Sequence, residues 1–162
     1  MKAYIEAMTK TVKHTLNELL VNLFNYILFI EETNLKKQGV ELGIGEIHLL
    51  ESIEKTADNT MTNIARRSMI TQGTLTTNIK RLERMGYVLR TKDNRDGRVT
   101  RLSLTEKGRQ VLAIHDRFHE EMIDSIIDEL NLGEDQLLIT SLEHVMRYFR
   151  NTYAADTDSQ LI

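Results

Sequence analysis

The stretch TQGTLTTNIKRLERMGYVLRTKDNRDGRVTRLSLTEKG, residues 71–108, decides the fold. Thr71 can accept a backbone hydrogen bond as an N-cap, and Leu75, Ile79, Leu82 and Met85 then recur at helical spacing as one apolar stripe. Gly86 follows the last periodic residue, where a left-handed C′ position favours a residue without Cβ, so the helix is predicted to stop there. Tyr87, Val88 and Leu89 read as a strand. Val99 to Leu104 alternates apolar and polar residues as a second strand, and KDNRDGR, residues 92–98, joins the two with turn-forming Asp, Asn and Gly. Thr105 is placed to cap a further helix.

The face of the 71–85 helix opposite the stripe carries Thr71, Gln72, Thr74, Thr76, Thr77, Asn78, Lys80 and Arg81. Short polar groups near a helix start, with cations further along, can reach base edges and phosphates. Upstream, TMTNIARRS, residues 60–68, reads as a short helix separated from the next by Met69 and Ile70. The order helix, tight turn, helix, hairpin is that of a helix-turn-helix with a wing, whose natural partner is double-stranded DNA.

The overall charge of −3 conceals a strong asymmetry. Residues 61–109 hold twelve Lys or Arg against four acids, a local balance of +8 that leaves −11 on the rest of the chain. A basic face on an acidic body orients a protein on DNA and makes its affinity fall steeply with salt.

At 162 residues with 41% hydrophobic content, the chain is long enough to bury a sizeable core. It has no cysteine, no long apolar segment and no basic-then-apolar leader, so disulfides, membrane insertion and secretion are not expected, and a cytoplasmic location is. Outside the basic segment the chain reads as long helices. Val12, Leu16, Leu19, Leu20, Leu23, Ile27 and Ile30 form one stripe. Val111, Ile114, Phe118, Met122, Ile126 and Leu130 form another, which Gly133 is expected to break, and Leu138, Leu142, Val145 and Phe149 form a third. Such helices need a surface to cover, and a two-fold dimer would let two winged helices read half-sites about 34 Å apart. The fold class is therefore mostly α with a small β-hairpin wing. The expected organisation is a dimerisation helix over 1–40, a winged helix-turn-helix over 41–108, dimerisation helices over 109–155 and a disordered tail over 156–162.

Ile64-Ala65, NIKRLERMGYVLR, DNRDGR and LSLTEKG together resemble the MarR family of bacterial winged-helix regulators. The resemblance implies a homodimer whose 71–85 helix enters the major groove. It also implies that Arg95 reaches the minor groove from a wing beginning at Lys92 and braced by Asp93, Asp96 and Arg98. The lack of cysteine excludes the thiol-based peroxide switch used by some members.

His115 and His119 lie four apart on one helix face, His48 falls in the earlier GIGEIHLLESIEK, and Glu31 and Glu32 end the first long helix. Two histidines at that spacing, a third histidine and a carboxylate such as Glu31 could complete a tetrahedral zinc site. Solvated or core histidines are the plainer reading, since no Cys-x-x-Cys or His-Glu-x-x-His accompanies them. HLLESI and HDRFH resemble the zinc-responsive repressors of the family. LFNYILFIEETNL, GEIHLL and HDRFHEEMIDSII resemble more closely the FabT branch, which represses fatty-acid synthesis genes. That likeness implies an acyl chain carried on acyl carrier protein as co-repressor, with Leu23, Ile27, Ile30, Phe118 and Met122 available to line its site. The same residues serve equally well as core. No cofactor is required by the sequence. Two other classes remain open: a metal-dependent enzyme using His48, His115, His119 and a Glu, for which no catalytic signature is present, and a helical adaptor with a merely solvated wing. The DNA reader is preferred because it alone uses the polar helix face and the +8 segment.

Overall fold

The computed structural model describes the backbone of residues 2–160 and the side chains of residues 6–153. The chain divides once, into Met1–Ile44 and Gly45–Ile162. No division falls near residue 108, where the sequence suggests a second boundary.

The first unit is built on helical backbone: α1 (Lys2–Asn17), a π-helical segment (Glu18–Leu23) and α2 (Phe24–Lys37). The single helix expected from the Val12 to Ile30 stripe is thus interrupted by a wider turn, where the Asn22 side-chain amide donates to Glu18 Oε2 at 2.8 Å. The run LLVNLFNYILFI is apolar on nearly every side, so it does not enforce a 3.6-residue period. Leu19, Leu20, Leu23, Phe24, Tyr26 and Phe29 are exposed, whereas Glu31, Leu35, Val40 and Leu42 are buried. Gly39, at φ +76°, ends α2: its own amide donates to Lys36 O and that of Val40 donates to Leu35 O, closing a Schellman motif.

The second unit contains α3 from Gly45 on (the helix spans Ile44–Glu54), α4 (Met61–Arg67), α5 (Gln72–Arg84), β1 (Val88–Lys92), β2 (Thr100–Leu104), α6 (Glu106–Leu130), a 3-10 turn (Leu132–Glu134) and α7 (Gln136–Gln160). β1 and β2 form an antiparallel hairpin with Val88 opposite Leu104 and Lys92 opposite Thr100. The predicted first strand begins one residue late and runs on to Lys92, because Tyr87 is buried in the turn that ends α5. Ile47, Leu50, Ile64, Leu75, Ile79, Leu82 and Leu102 are fully buried and form the heart of this unit. Burying each such side chain stabilises by roughly 1.5–3 kcal/mol relative to exposure.

Caps set the element ends. Thr60, Thr71 and Thr105 each accept, on the side-chain oxygen, the backbone amide three residues on, as N-caps do. Gly86, at φ +78°, stops α5 as expected. α6 stops earlier than the sequence suggests: Asn131, not Gly133, takes the left-handed position at φ +52°. Asparagine tolerates that region, and it comes first along the chain. α7 continues to Gln160, across most of the 156–162 segment read as a disordered tail. No Pro or Gly lies there to end it. Residues 161 and 162 lie outside the described residues.

Candidate nucleic-acid interface

α5 owes its position to its buried stripe, Leu75, Ile79 and Leu82, which turns the opposite face outward. On that face Thr71, Gln72, Thr74, Thr77, Lys80 and Arg81 are exposed, and Thr76 and Asn78 are half-buried. The hydroxyls are partly committed within the helix: Thr76 donates to Gln72 O at 2.7 Å and Thr77 to Gly73 O at 3.1 Å. Their remaining capacity is as acceptors. Gln72 Nε2 donates to Thr62 Oγ1 at 2.9 Å, which links the start of α5 to α4. Arg81 departs from the expectation of a free cation, because its guanidinium pairs with the Glu46 carboxylate of α3. Lys80 and Arg84 are exposed and, among the described residues, carry no ion pair.

The wing is held by carboxylates that accept its backbone amides and by one guanidinium. Asp93 Oδ1 accepts the amides of Arg95 at 2.8 Å and Asp96 at 3.1 Å, and Asp96 Oδ1 accepts the amide of Arg98 at 2.9 Å. Arg98 therefore contributes its backbone to the turn. The guanidinium that braces the wing is Arg101, whose Nε lies 2.5 Å from Asp93 Oδ2. The hydrogen bond from Arg101, then those from the Arg95 and Asp96 amides, hold the Asp93 carboxyl down at about 2. The same partnership, with Asp58 second, raises the Arg101 pKa. Lys92, Arg95 and Arg98 are exposed and, among the described residues, form no ion pair. Arg101, Asp58 and Glu46 carried no local signal in the sequence, since each finds its partner through a non-local contact.

The end of α5 is fastened to the start of α6. Thr105 N donates to Tyr87 O at 3.0 Å, its hydroxyl donates to Gly86 O at 2.7 Å, and Lys107 Nζ donates to Met85 O at 3.0 Å. Lys107 Nζ also stands 4.1 Å from the centroid of the Tyr87 ring, a cation–π contact.

The histidines singled out in the sequence do meet. The His115 ring lies 5.5 Å from that of His48 and 4.6 Å from that of His119, both edge-on. His115 is buried, and its Nδ1 is 3.5 Å from Asp116 Oδ1. His115 thus stands between two further imidazoles, a side-chain type that zinc takes as ligand. Glu31, the expected carboxylate ligand, lies in the first unit and is buried. Of the proposed acyl-contacting residues, Leu23 and Ile30 are exposed and Ile27 is half-buried in the first unit, while Phe118 and Met122 are half-buried in the second. Among the described residues no helix is long and apolar enough to cross a membrane.

The polar helix, its partner helix and the braced cationic hairpin define a winged helix-turn-helix module. The MarR family model matches residues 42–100. The crystal structure of Streptococcus pneumoniae FabT in complex with DNA is similar at TM-score 0.77 and 34% identity, covering 86% of this chain and 98% of that one. The HTH-type transcriptional regulator SarZ of Staphylococcus haemolyticus is 28% identical over 100 residues, 60% of this chain and 65% of its own. SarZ of Staphylococcus aureus is 33% identical over 86 residues, 53% of this chain and 55% of its own. The chain thus spans less than two thirds of the length of these curated relatives. It belongs to the MarR family, and the relatives it resembles are transcriptional regulators, not enzymes.

Proposed function

We propose that this protein is a cytoplasmic, homodimeric transcriptional repressor that binds an inverted-repeat operator through α5 and the wing. The observation that carries the reading is the exposed polar face of α5 beside exposed cations that form no ion pair among the described residues, Lys80 and Arg84 on the helix and Lys92, Arg95 and Arg98 on the wing. In this reading Gln72, Thr74 and Thr77 read base edges, Asn78 and Thr76 assist them, and Arg95 enters the minor groove. Arg81 steadies α5 through Glu46. The dimer is supported by the apolar side chains exposed along α6 and α7, among them Ile123, Ile126, Leu142, Met146 and Phe149. Likeness to FabT supports control of fatty-acid synthesis genes with an acyl chain on acyl carrier protein as the signal. Leu23, Ile27, Ile30, Phe118 and Met122 are the apolar side chains offered to that chain.

The test is selection of bound DNA from a random pool, with and without acylated carrier protein. An inverted repeat bound more tightly in its presence supports the whole reading. A failure to enrich any sequence, or enrichment unchanged in Arg95→Ala and Gln72→Ala, overturns the reading surface.

A second reading of the signal, zinc, is favoured by the clustering of His48, His115 and His119. These imidazoles would hold the ion, and it would link α3 to α6 by ligation. Titration of zinc into the protein decides it: binding lost in both His115→Ala and His119→Ala supports zinc, and binding unchanged in both rejects it.

A further inference from the structure

We infer that Arg101 is a positioning residue for DNA binding, which aims the wing tip from the loop before α4 without itself contacting a phosphate. The inference rests on the DNA-binding reading of the wing. Arg101 lies on β2, and its guanidinium spans two carboxylates from different parts of the chain. Nε meets Asp93 at the foot of the wing at 2.5 Å, and Nη1 meets Asp58 at 2.6 Å and Asn59 Oδ1 at 3.2 Å.

The 58–59 segment is itself anchored on both sides. Asn59 Nδ2 donates to Leu102 O at 2.5 Å, and Leu102 N donates to Asn59 O at 3.0 Å. Asp58 Oδ2 accepts Asn63 Nδ2 at 2.7 Å, within α4. A continuous chain of polar contacts thus runs from α4 through Asp58, Arg101 and Asp93 to the amides of Arg95 and Asp96 at the tip. An isolated two-stranded hairpin is marginally stable in water, so its tip needs an outside reference to hold an orientation. Arg101 supplies one, and its planar fork is what allows a single side chain to hold two carboxylates at once. With both partners in place, its charge is compensated locally and is not offered to DNA.

Arg101→Lys and Asp58→Asn separate positioning from simple charge. Lysine keeps the charge but lacks the fork. Removing Asp58 makes the basic face more positive, so long-range electrostatics alone would tighten DNA binding. We expect both variants to weaken operator binding about tenfold. In an Arg95→Ala background, which has already lost the tip, neither should weaken it further. The amides of Arg95 and Asp96 in the free protein should exchange faster with solvent in Arg101→Lys while thermal unfolding shows the variant folded.

Wild-type affinity in Arg101→Lys, or tighter binding in Asp58→Asn, overturns the inference while leaving the DNA-binding reading intact if Arg95→Ala still weakens binding. An Arg95→Ala variant that binds like wild type overturns both, because the tip then has nothing to be aimed at. A further fall in the Arg95→Ala background shows that Arg101 acts on the DNA directly and rejects the positioning role.

Discussion

Gly108 approaches the Tyr87 carbonyl oxygen so closely that a β-carbon on it would lie under 3.0 Å away, against rigid backbone. Tyr87 ends the turn after α5, and Gly108 lies in the first turn of α6, so the start of α6 meets that turn backbone to backbone. Gly108→Ala should destabilise the protein by about 1–3 kcal/mol, because one of the two segments must move. Urea denaturation measures the loss. A variant as stable as wild type would show that the approach is relaxed at no cost.

Among the described residues three helices, α2, α4 and α5, end in Schellman motifs, and α4 does so without glycine. Met69, at φ +53°, occupies the position that glycine fills at Gly39 and Gly86, with its amide donating to Arg66 O and the Ile70 amide to Ala65 O. Relief of the left-handed strain exceeds the entropy that glycine adds to the unfolded chain, so Met69→Gly should stabilise by about 0.5–1 kcal/mol. Gly86→Ala should do the opposite, by about 1–2 kcal/mol. Thermal unfolding of the two variants checks both signs.

The wing should withstand mild acid. Asp93 has its pKa lowered from an ordinary 3.8 to about 2, so the stability it contributes is present above the ordinary value and is lost as pH falls through about 2. Carboxyl NMR titration of Asp93 should show no protonation at pH 4. Asp93→Asn should remove this segment of the acid-unfolding curve, and an Asp93 that titrates near 4 would contradict the brace.

DNA affinity should fall linearly in log–log form as salt rises, and Arg95→Ala should lower the slope by about one counterion. Fluorescence anisotropy across a salt series reads both quantities. An unchanged slope would mean that Arg95 meets no phosphate.

Leu142 and Met146 are exposed one turn apart on α7. If this face pairs two copies, Leu142→Arg should shift the protein from dimer to monomer in sedimentation velocity. A dimer that survives the change would place the interface elsewhere.

What was legible in the sequence was what neighbours decide. Thr71, Thr105 and Gly86 act within four residues of themselves, so their caps could be placed by inspection, and the stripe Leu75, Ile79, Leu82 fixed which side of α5 faces outward. Asp58 and Arg101 are 43 residues apart and Glu46 and Arg81 are 35 apart, so no spacing rule could pair them. The left-handed Met69 was hidden because methionine is not chosen for that conformation; surrounding hydrogen bonds impose it. Asn131 and Gly133 competed to end α6, and the nearer residue prevailed. The three histidines came together because α3 and α6 bring them into register, which residue type alone could only suggest.

The wide turn at Glu18–Leu23 changes how the first helix tolerates insertion and deletion. In ordinary α-helix each residue advances the face by about 100°, so losing one residue swings everything beyond it out of register. A π-helical segment already carries surplus chain, and it can shed a residue by tightening to α-helical geometry. Length variation in this helix should therefore concentrate between residues 18 and 23, making that segment its natural splice point.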